Sequence, residues 1–328
     1  IYLSYPRGKK KQTMGKHEYS MPQPMPLAAI EGFKTGNAQD YVAMTGVTVV
    51  LCEAGAQGGV DISGGGPASR ETPLLGNYSA HQPIHAVVLS GGSAFGLSAA
   101  EGVMRYLEER GMGYDTGFAR VPLVVQSCLF DLCMGSASIR PDAAMGYAAC
   151  VNAQQNAPRS GSVGAGTGAS VGKLCGMARA SKCGLGVYAL RLGALEMGAV
   201  VAVNALGDIF DFETGTQLAG LKNESGTGFA SSEAALYRLS APTDLFTGNT
   251  TVGCIVTNAR FDRAQMNRLA AMARCGYARA ICPVGTLADG DSIYALCSGS
   301  VEADLNVAGT LAARVMAAAI REAALHAE

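Results

Sequence analysis

The sequence is poor in charge. Only 16% of its 328 residues are charged, and the formal net charge is −1. So small a net charge argues against a nucleic acid or another polyanion as a partner. It is also poor in histidine, with four: His17, His81, His85 and His326. His81 and His85 are four apart, but Pro83 between them blocks the helix that would turn both toward one metal. The ten cysteines form no C-x-x-C pair, so a zinc ribbon or thioredoxin motif is not expected. Scattered among small apolar residues, they read as buried, reduced thiols of a cytoplasmic protein. No apolar run reaches the length of a membrane span.

What is present is hydrophobic and rich in glycine. Apolar residues make up 48% of the chain, enough for a sizeable core in one α/β layer structure. The 43 glycines predict many tight strand-to-helix loops, and the low charge predicts oligomer interfaces. Ile1–Pro26 is polar, carries Lys9, Lys10 and Lys11, and has no apolar stretch after them. It reads as a disordered extension rather than a targeting signal, with ordered sequence beginning near Ala28.

Thr45–Cys52 (TGVTVVLC) and His85–Ser90 (HAVVLS) predict buried strands, and Gly58–Pro67 a loop. Gly91–Ser93 predicts a turn before a helix over Ala94–Arg110, with Gly111 ending it. Arg140-Pro141-Asp142 opens a short helix to about Asn156. Met197–Asn204 and Asp208–Phe212 predict strands around a turn at Gly207. Gly220–Gly248 predicts an exposed polar tail holding one short helix, Glu233–Leu239. Thr250–Asn258 and Ser292–Cys297 predict strands, Arg263–Cys275 a helix stopped by Gly276, and Asn306–Ala327 a long alanine-rich helix. Strands and helices intersperse without the regular alternation of a doubly wound sheet.

Two glycine-rich segments invite a nucleotide-binding interpretation and fail it. Leu89–Leu97 (LSGGSAFGL) is not G-x-G-x-x-G and lacks an acidic residue at the end of a following strand. In Gly164–Lys173 (GAGTGASVGK) only three residues separate Gly168 from Gly172, and Leu174 stands where a Mg²⁺-binding hydroxyl is needed. Lys173, at the end of that loop, can be a solvated surface lysine or reach a catalytic centre. Asp289-Gly290-Asp291 is a turn before a strand, or two carboxylates that orient an ammonium or hydroxyl. Asn204, at the end of an apolar strand, is a satisfied core amide or an oxyanion donor.

The most informative segment is Gly248–Asn258 (GNTTVGCIVTN), where a polar approach runs into a β-branched strand at Asn249-Thr250. A cut there would make Thr250 an N-terminus. Its hydroxyl and its α-amine, with a reference pKa of roughly 7.7–8, would form a nucleophile and base on one residue.

Eight ordered blocks together resemble the DmpA-type family of self-processing aminopeptidases, which includes β-peptidyl aminopeptidases and nylon-oligomer hydrolases. The blocks are TGVTVVL, GGGPASRET, HAVVLSGGSAFGL with EGVMRYLEERG, RPDAAMGYAAC, GAGTGASVGK, VNALGDI, GNTTVGCIVTNA and DGDSIYAL, and the resemblance as a whole runs from about Glu31 to Ala324. The resemblance implies an α+β fold, a four-layer αββα sandwich like that of the N-terminal-nucleophile hydrolases with different connectivity. It implies one catalytic domain over residues 28–328, cut between Asn249 and Thr250 into an α chain (28–249) and a β chain (250–328). It implies no cofactor and no metal, and a homotetramer of αβ units. Carried over, Thr250 is the nucleophile, Asn204 the oxyanion donor, Asp289 and Asp291 the pair that orients the Thr250 amine, and Lys173 a further polar member. The aminopeptidase members bind the substrate's free amine through a Glu. Here Val124–Cys128 carries Ser127 near that place, with Phe130 at the ring position and Asp131 as the acid that could substitute. The function implied is hydrolysis of small peptides or amides through an acyl-Thr250 ester. The alternatives are an acyltransferase of the ornithine acetyltransferase type and a non-enzymatic binding protein in which Thr250 is only a strand residue.

Overall fold

The computed structural model describes residues 21–80, 82–239 and 248–327. His17, His81 and part of the Gly220–Gly248 tail lie outside the described residues. Eight longer strands carry the fold: β1 (Lys34–Asp40), β2 (Thr45–Ile62), β3 (Ile84–Ser90), β4 (Val124–Cys128), β5 (Leu185–Leu192), β6 (Leu195–Asn204), β7 (Thr250–Ala259) and β8 (Ser292–Val301). Four longer helices accompany them: α1 (Ala99–Glu108), α2 (Ala143–Ala153), α3 (Arg263–Ala280) and α4 (Leu305–Leu325).

The strands run in the order β5-β6-β7-β8-β2-β3-β4, with β1 added beside β2. β2 joins two halves. Its first part, Thr45–Leu51, pairs with β1 and β3, and its last part, Gln57–Ile62, pairs with β8. The register shift between Leu51 and Ala56 marks the bend from one sheet to the other.

Alternation along the strands assigns the layers. In β6, Ala199, Val201 and Val203 pack with α3 and α4, whereas Val200 and Ala202 pack with residues of the opposite sheet. In β3, Val87 and Leu89 face that same middle layer, and Ala86 and Val88 face α1 and α2. Because successive side chains point to opposite faces, each sheet buries both. Three apolar cores result: helices on sheet, sheet on sheet, and sheet on helices. This is the four-layer αββα sandwich. Each fully buried Val or Leu contributes about 1.5–3 kcal/mol to holding the layers together.

Local sequence fixes the helix starts. Asp262 caps α3 in a capping box with Gln265, and Asp304 accepts the Asn306 and Val307 N–H groups at the start of α4.

Several boundaries move. Gln23–Pro24 pairs with Leu190–Arg191 and Leu27 is buried, so order begins before Ala28. Gly58–Ile62, expected in a loop, is strand, and only Ser63–Pro67 leaves it. α3 continues through Gly276, whose missing side chain lets the Ala313 carbonyl of α4 come within 2.5 Å of where a Cβ would stand. The expected Ala94–Arg110 helix opens with a 3₁₀ stretch, Ser93–Ser98, and β5 was not anticipated.

Candidate active site

β6 ends at Asn204 and β7 begins at Thr250, and the two residues are direct partners in the antiparallel pair. In β7 the middle-layer residues are Val252, Cys254 and Val256, so alternation turns Thr250 toward the gap between the sheets. The same count from Val200 and Ala202 turns Asn204 there too. The site thus forms where the space between the two sheets reaches the end of the sandwich. Both residues are buried, as are Lys173, Asp289 and Asp291.

The turn before β8 builds one wall. Asn249 forms a parallel bridge with Asp289, and the Gly290 N–H donates to the Asn249 carbonyl at 3.0 Å. The Thr251 N–H donates to Asp291 Oδ1 at 2.7 Å. Asp289 is held from three sides: its Oδ2 accepts from the Thr286 hydroxyl (2.6 Å) and N–H (3.2 Å), and its Oδ1 from the Leu206 N–H (3.4 Å). The glycine loop after β2 clamps this turn from outside, with the Gly66 N–H on the Asp289 carbonyl and the Ser63 and Gly64 N–H groups on that of Asp291.

The opposite wall comes from the loop before Lys173. Lys173 Nζ donates to the carbonyls of Asn204 (2.9 Å) and Gly248 (3.0 Å). Asn204 Nδ2 donates to the carbonyls of Phe130 (2.9 Å) and Gly248 (3.1 Å), while its Oδ1 accepts the Ser170 N–H (3.1 Å). That last bond fixes which way the amide faces. The Thr250 hydroxyl donates to the carbonyl of Asn249, the residue it follows. The Asn249 side-chain amide is buried with no partner among the described residues.

Burial shapes the charges. It pushes the Lys173 ammonium down to about 7, against the pull of Cys133, Asp289 and Asp131. It pushes the Asp291 carboxyl up to about 8, with Asp289 adding to the rise and the Thr251 and Gly285 N–H groups opposing it. Burial thus works against the charged form of both groups, lowering the lysine's pKa and raising the carboxyl's.

Sequence reasoning placed Thr250, Asn204, Lys173, Asp289 and Asp291 together, and the tertiary structure brings all five to one site. Phe130 reaches it through its carbonyl and through its ring, which lies against Gly248. Asp131 is committed elsewhere: its oxygens accept from the Thr45 hydroxyl and the Gly92 N–H, both at 2.7 Å, and burial raises its pKa. Ser127 is sealed in the core, 1% exposed, with its hydroxyl on Tyr294 at 2.7 Å. Neither is free to meet a substrate amine here. The contributions of Gly290, Thr286 and Ser170 were not foreseen. Backbone donors carry no side-chain signal, and Thr286 reads as an ordinary turn residue.

Among the described residues no group of three or more His, Cys, Asp or Glu could hold a metal ion. No described helix is long and apolar enough to cross a membrane.

Comparison with known sequences places the chain among hydrolases of the aminopeptidase or amidase type. The chain belongs to peptidase family S58, whose sequence model matches residues 27–328. It is 40% identical over 269 residues to an uncharacterised aminopeptidase of Mycobacterium leprae, covering 79% of this chain and 72% of that one. It is 33% identical over 310 residues to a 6-aminohexanoate-oligomer endohydrolase of a Kocuria species, covering 89% and 84%. The fold matches that of the L-aminopeptidase D-Ala-esterase/amidase of Ochrobactrum anthropi, described as a variant of the Ntn hydrolase fold. The TM-score is 0.68 at 16% identity, over 94% of this chain and 88% of that one. The resemblance drawn from the eight sequence blocks is thereby borne out.

Proposed function

We propose that the chain is the precursor of an N-terminal-threonine amidohydrolase that cuts itself between Asn249 and Thr250. One observation carries the assignment: the Thr250 hydroxyl lies on the carbonyl of its own preceding peptide, and the Gly290 N–H donates to that same oxygen at 3.0 Å. In the first step Thr250 Oγ1 attacks the Asn249 carbonyl carbon. We assign Lys173, whose Nζ bonds the Gly248 carbonyl one residue ahead of the cut and whose pKa burial lowers to about 7, to accept the hydroxyl proton and pass it to the leaving nitrogen. The product is an Asn249–Thr250 ester, which water opens to an α chain ending at Asn249 and a β chain beginning at Thr250.

Cleavage frees the Thr250 amine and lets the segment ahead of it leave the buried site. In the mature enzyme that amine is the base for the Thr250 hydroxyl. Asp289 and Asp291 hold it in place. Asn204 donates to the oxyanion of the tetrahedral intermediate, and an acyl-Thr250 ester forms and is hydrolysed. Substrates are small peptides or amides. Amides of an ω-amino acid, as named for the Kocuria relative, are the first to test. The working unit is a homotetramer of αβ units, to be checked by light scattering.

Intact mass and a denaturing gel test the cut. Dividing 33.6 kDa in proportion to length predicts fragments of roughly 25 and 8 kDa, the smaller starting at Thr250. Thr250→Ala should give a folded, uncut and inactive chain. Appearance of the small fragment in that variant would refute the role of the hydroxyl.

A further inference from the structure

A cavity of about 580 Å³ shares no lining residue with the site described above. Four separate stretches of chain wall it. Tyr41 and Met44 come from the turn between β1 and β2, residues 159–163 from the segment after α2, Lys182 from the stretch before β5, and His326 from the end of α4. Gly161 makes the corner. It exchanges both backbone hydrogen bonds with Leu185 at 2.8 Å. Its missing side chain leaves room for the His326 carbonyl, 3.0 Å from where a Cβ would stand.

The wall holds three basic residues, Arg159, Lys182 and His326, and no acidic one. Lys182 is half-buried. Its Nζ donates to the carbonyls of Gly166 (3.2 Å) and Cys183, two acceptors for three N–H donors. Among the described residues neither Lys182 nor Arg159 has a carboxylate within ion-pair distance. His326 has one acidic neighbour, Glu322, which lies 3.6 Å from its Nδ1 and also meets Arg321 at 3.3 Å. Ser162, in the same wall, buries a hydroxyl that meets no partner among the described residues. Burial lowers the Lys182 pKa to about 8, with Cys183 opposing. Drawing a cation out of water is costly unless an anion stands beside it, and none of the described residues supplies one to Lys182.

We propose that this cavity binds a small oxyanion of the phosphate class, with Lys182 and Arg159 as its charged donors and His326 adding a third charge when protonated. Several cations around one cavity suit a dianion better than the single charge of a carboxylate. The planar guanidinium of Arg159 can take two phosphate oxygens at once, and the Lys182 ammonium serves as a point charge on another. The cavity adjoins the catalytic site through one strand pair: Lys182 is the partner of Ser170, whose N–H holds the Asn204 amide. Binding here needs no cut at Thr250.

The test is calorimetric titration of inorganic phosphate into the full chain near neutral pH at fixed ionic strength, with chloride and acetate as comparison anions. One saturable site per chain is expected, with acetate weaker and chloride without effect. Arg159→Gln and Lys182→Met should each weaken phosphate binding by about tenfold or more, the usual loss when a charged donor is removed. Lys173→Met should leave it unchanged. Arg159 is exposed and unpaired among the described residues, so its variant should keep the fold. A thermal melt checks Lys182→Met, whose amine also holds two carbonyls. Phosphate should raise the melting temperature of wild type and do so much less in Arg159→Gln. No saturable binding, equal binding of chloride, or an unchanged affinity in both Arg159→Gln and Lys182→Met would overturn the site. Acetate binding as tightly as phosphate would overturn the phosphate class. A loss confined to Lys173→Met would put the anion at the catalytic residues and overturn the separate cavity.

Discussion

Asn204 Nδ2 lies on the carbonyl of Gly248, not on that of Asn249, where the cut would fall. The donor on the Asn249 carbonyl is the Gly290 N–H. On the function proposed above, the two reactions of one hydroxyl would draw on different donors: a backbone N–H for self-cleavage and a side-chain amide for hydrolysis.

Asn204→Ala should therefore separate the two. Hydrolysis by the cut enzyme should fall by about 10²–10³ in kcat, the usual loss for one oxyanion donor, with a smaller change in KM. Self-cleavage, followed by mass over time, should slow less. An unchanged kcat would refute the oxyanion role.

Gly290→Ala should act on the cut. A Cβ there would stand 2.7 Å from both Thr250 Oγ1 and the Gly66 carbonyl. Displacing the hydroxyl by even a fraction of that should slow self-cleavage by about 10²-fold, so that precursor accumulates. A thermal melt checks that the fold survives, and a normal cleavage rate would show that the hydroxyl is not held against this glycine.

Thr286→Val removes the 2.6 Å hydroxyl bond to Asp289 while keeping the side chain's shape. A hydrogen bond to a charged group contributes about 1.5–3 kcal/mol, so activity of the cut enzyme should fall by roughly ten- to a hundredfold. Because Asp289 is assigned to hold the Thr250 amine, the acid limb of the kcat/KM profile should also move. A drop in melting temperature with an unmoved pH profile would mean a purely structural bond.

Two buried groups give the uncut Thr250→Ala chain a pH signature. Asp291 is raised from 3.8 to about 8, so between those values the folded state keeps a proton that the unfolded state releases. Stability from this group falls as pH rises through that window. Lys173 is lowered from 10.5 to about 7, so between 7 and 10.5 the folded state has lost a proton the unfolded state still binds, and stability from it rises with pH. Asp291→Asn should flatten the falling limb and Lys173→Met the rising one, read as melting temperature against pH. An unaltered falling limb in Asp291→Asn would remove Asp291 as its cause.

Much of this was legible in the chain. The apolar strands at Thr45, His85, Met197 and Thr250 were plain because continuous Val, Ile and Leu runs have few other uses. β5 escaped because Leu185–Leu192 (LGVYALRL) mixes glycine, tyrosine and arginine into its run. Gly58–Ile62 was misplaced because glycines that signal a loop locally serve here for close contact with α3: a Cβ on Gly59 would stand 2.3 Å from the Met266 backbone.

The sequence by itself determined the family, through eight ordered blocks, and with that resemblance came the expectation of four layers and of five polar residues that the structure gathers at one place. It also marked Asn249-Thr250 as the junction to examine. Only the tertiary structure decided which of the other candidates reach that junction. Ser127 and Asp131 are near in sequence to Phe130, yet one is bonded to Tyr294 and the other to Thr45 and Gly92, while Phe130 meets Gly248. The reason is physical: a polar group drawn into a dry interior must find a partner, and which partner is within reach depends on how distant strands and loops pack.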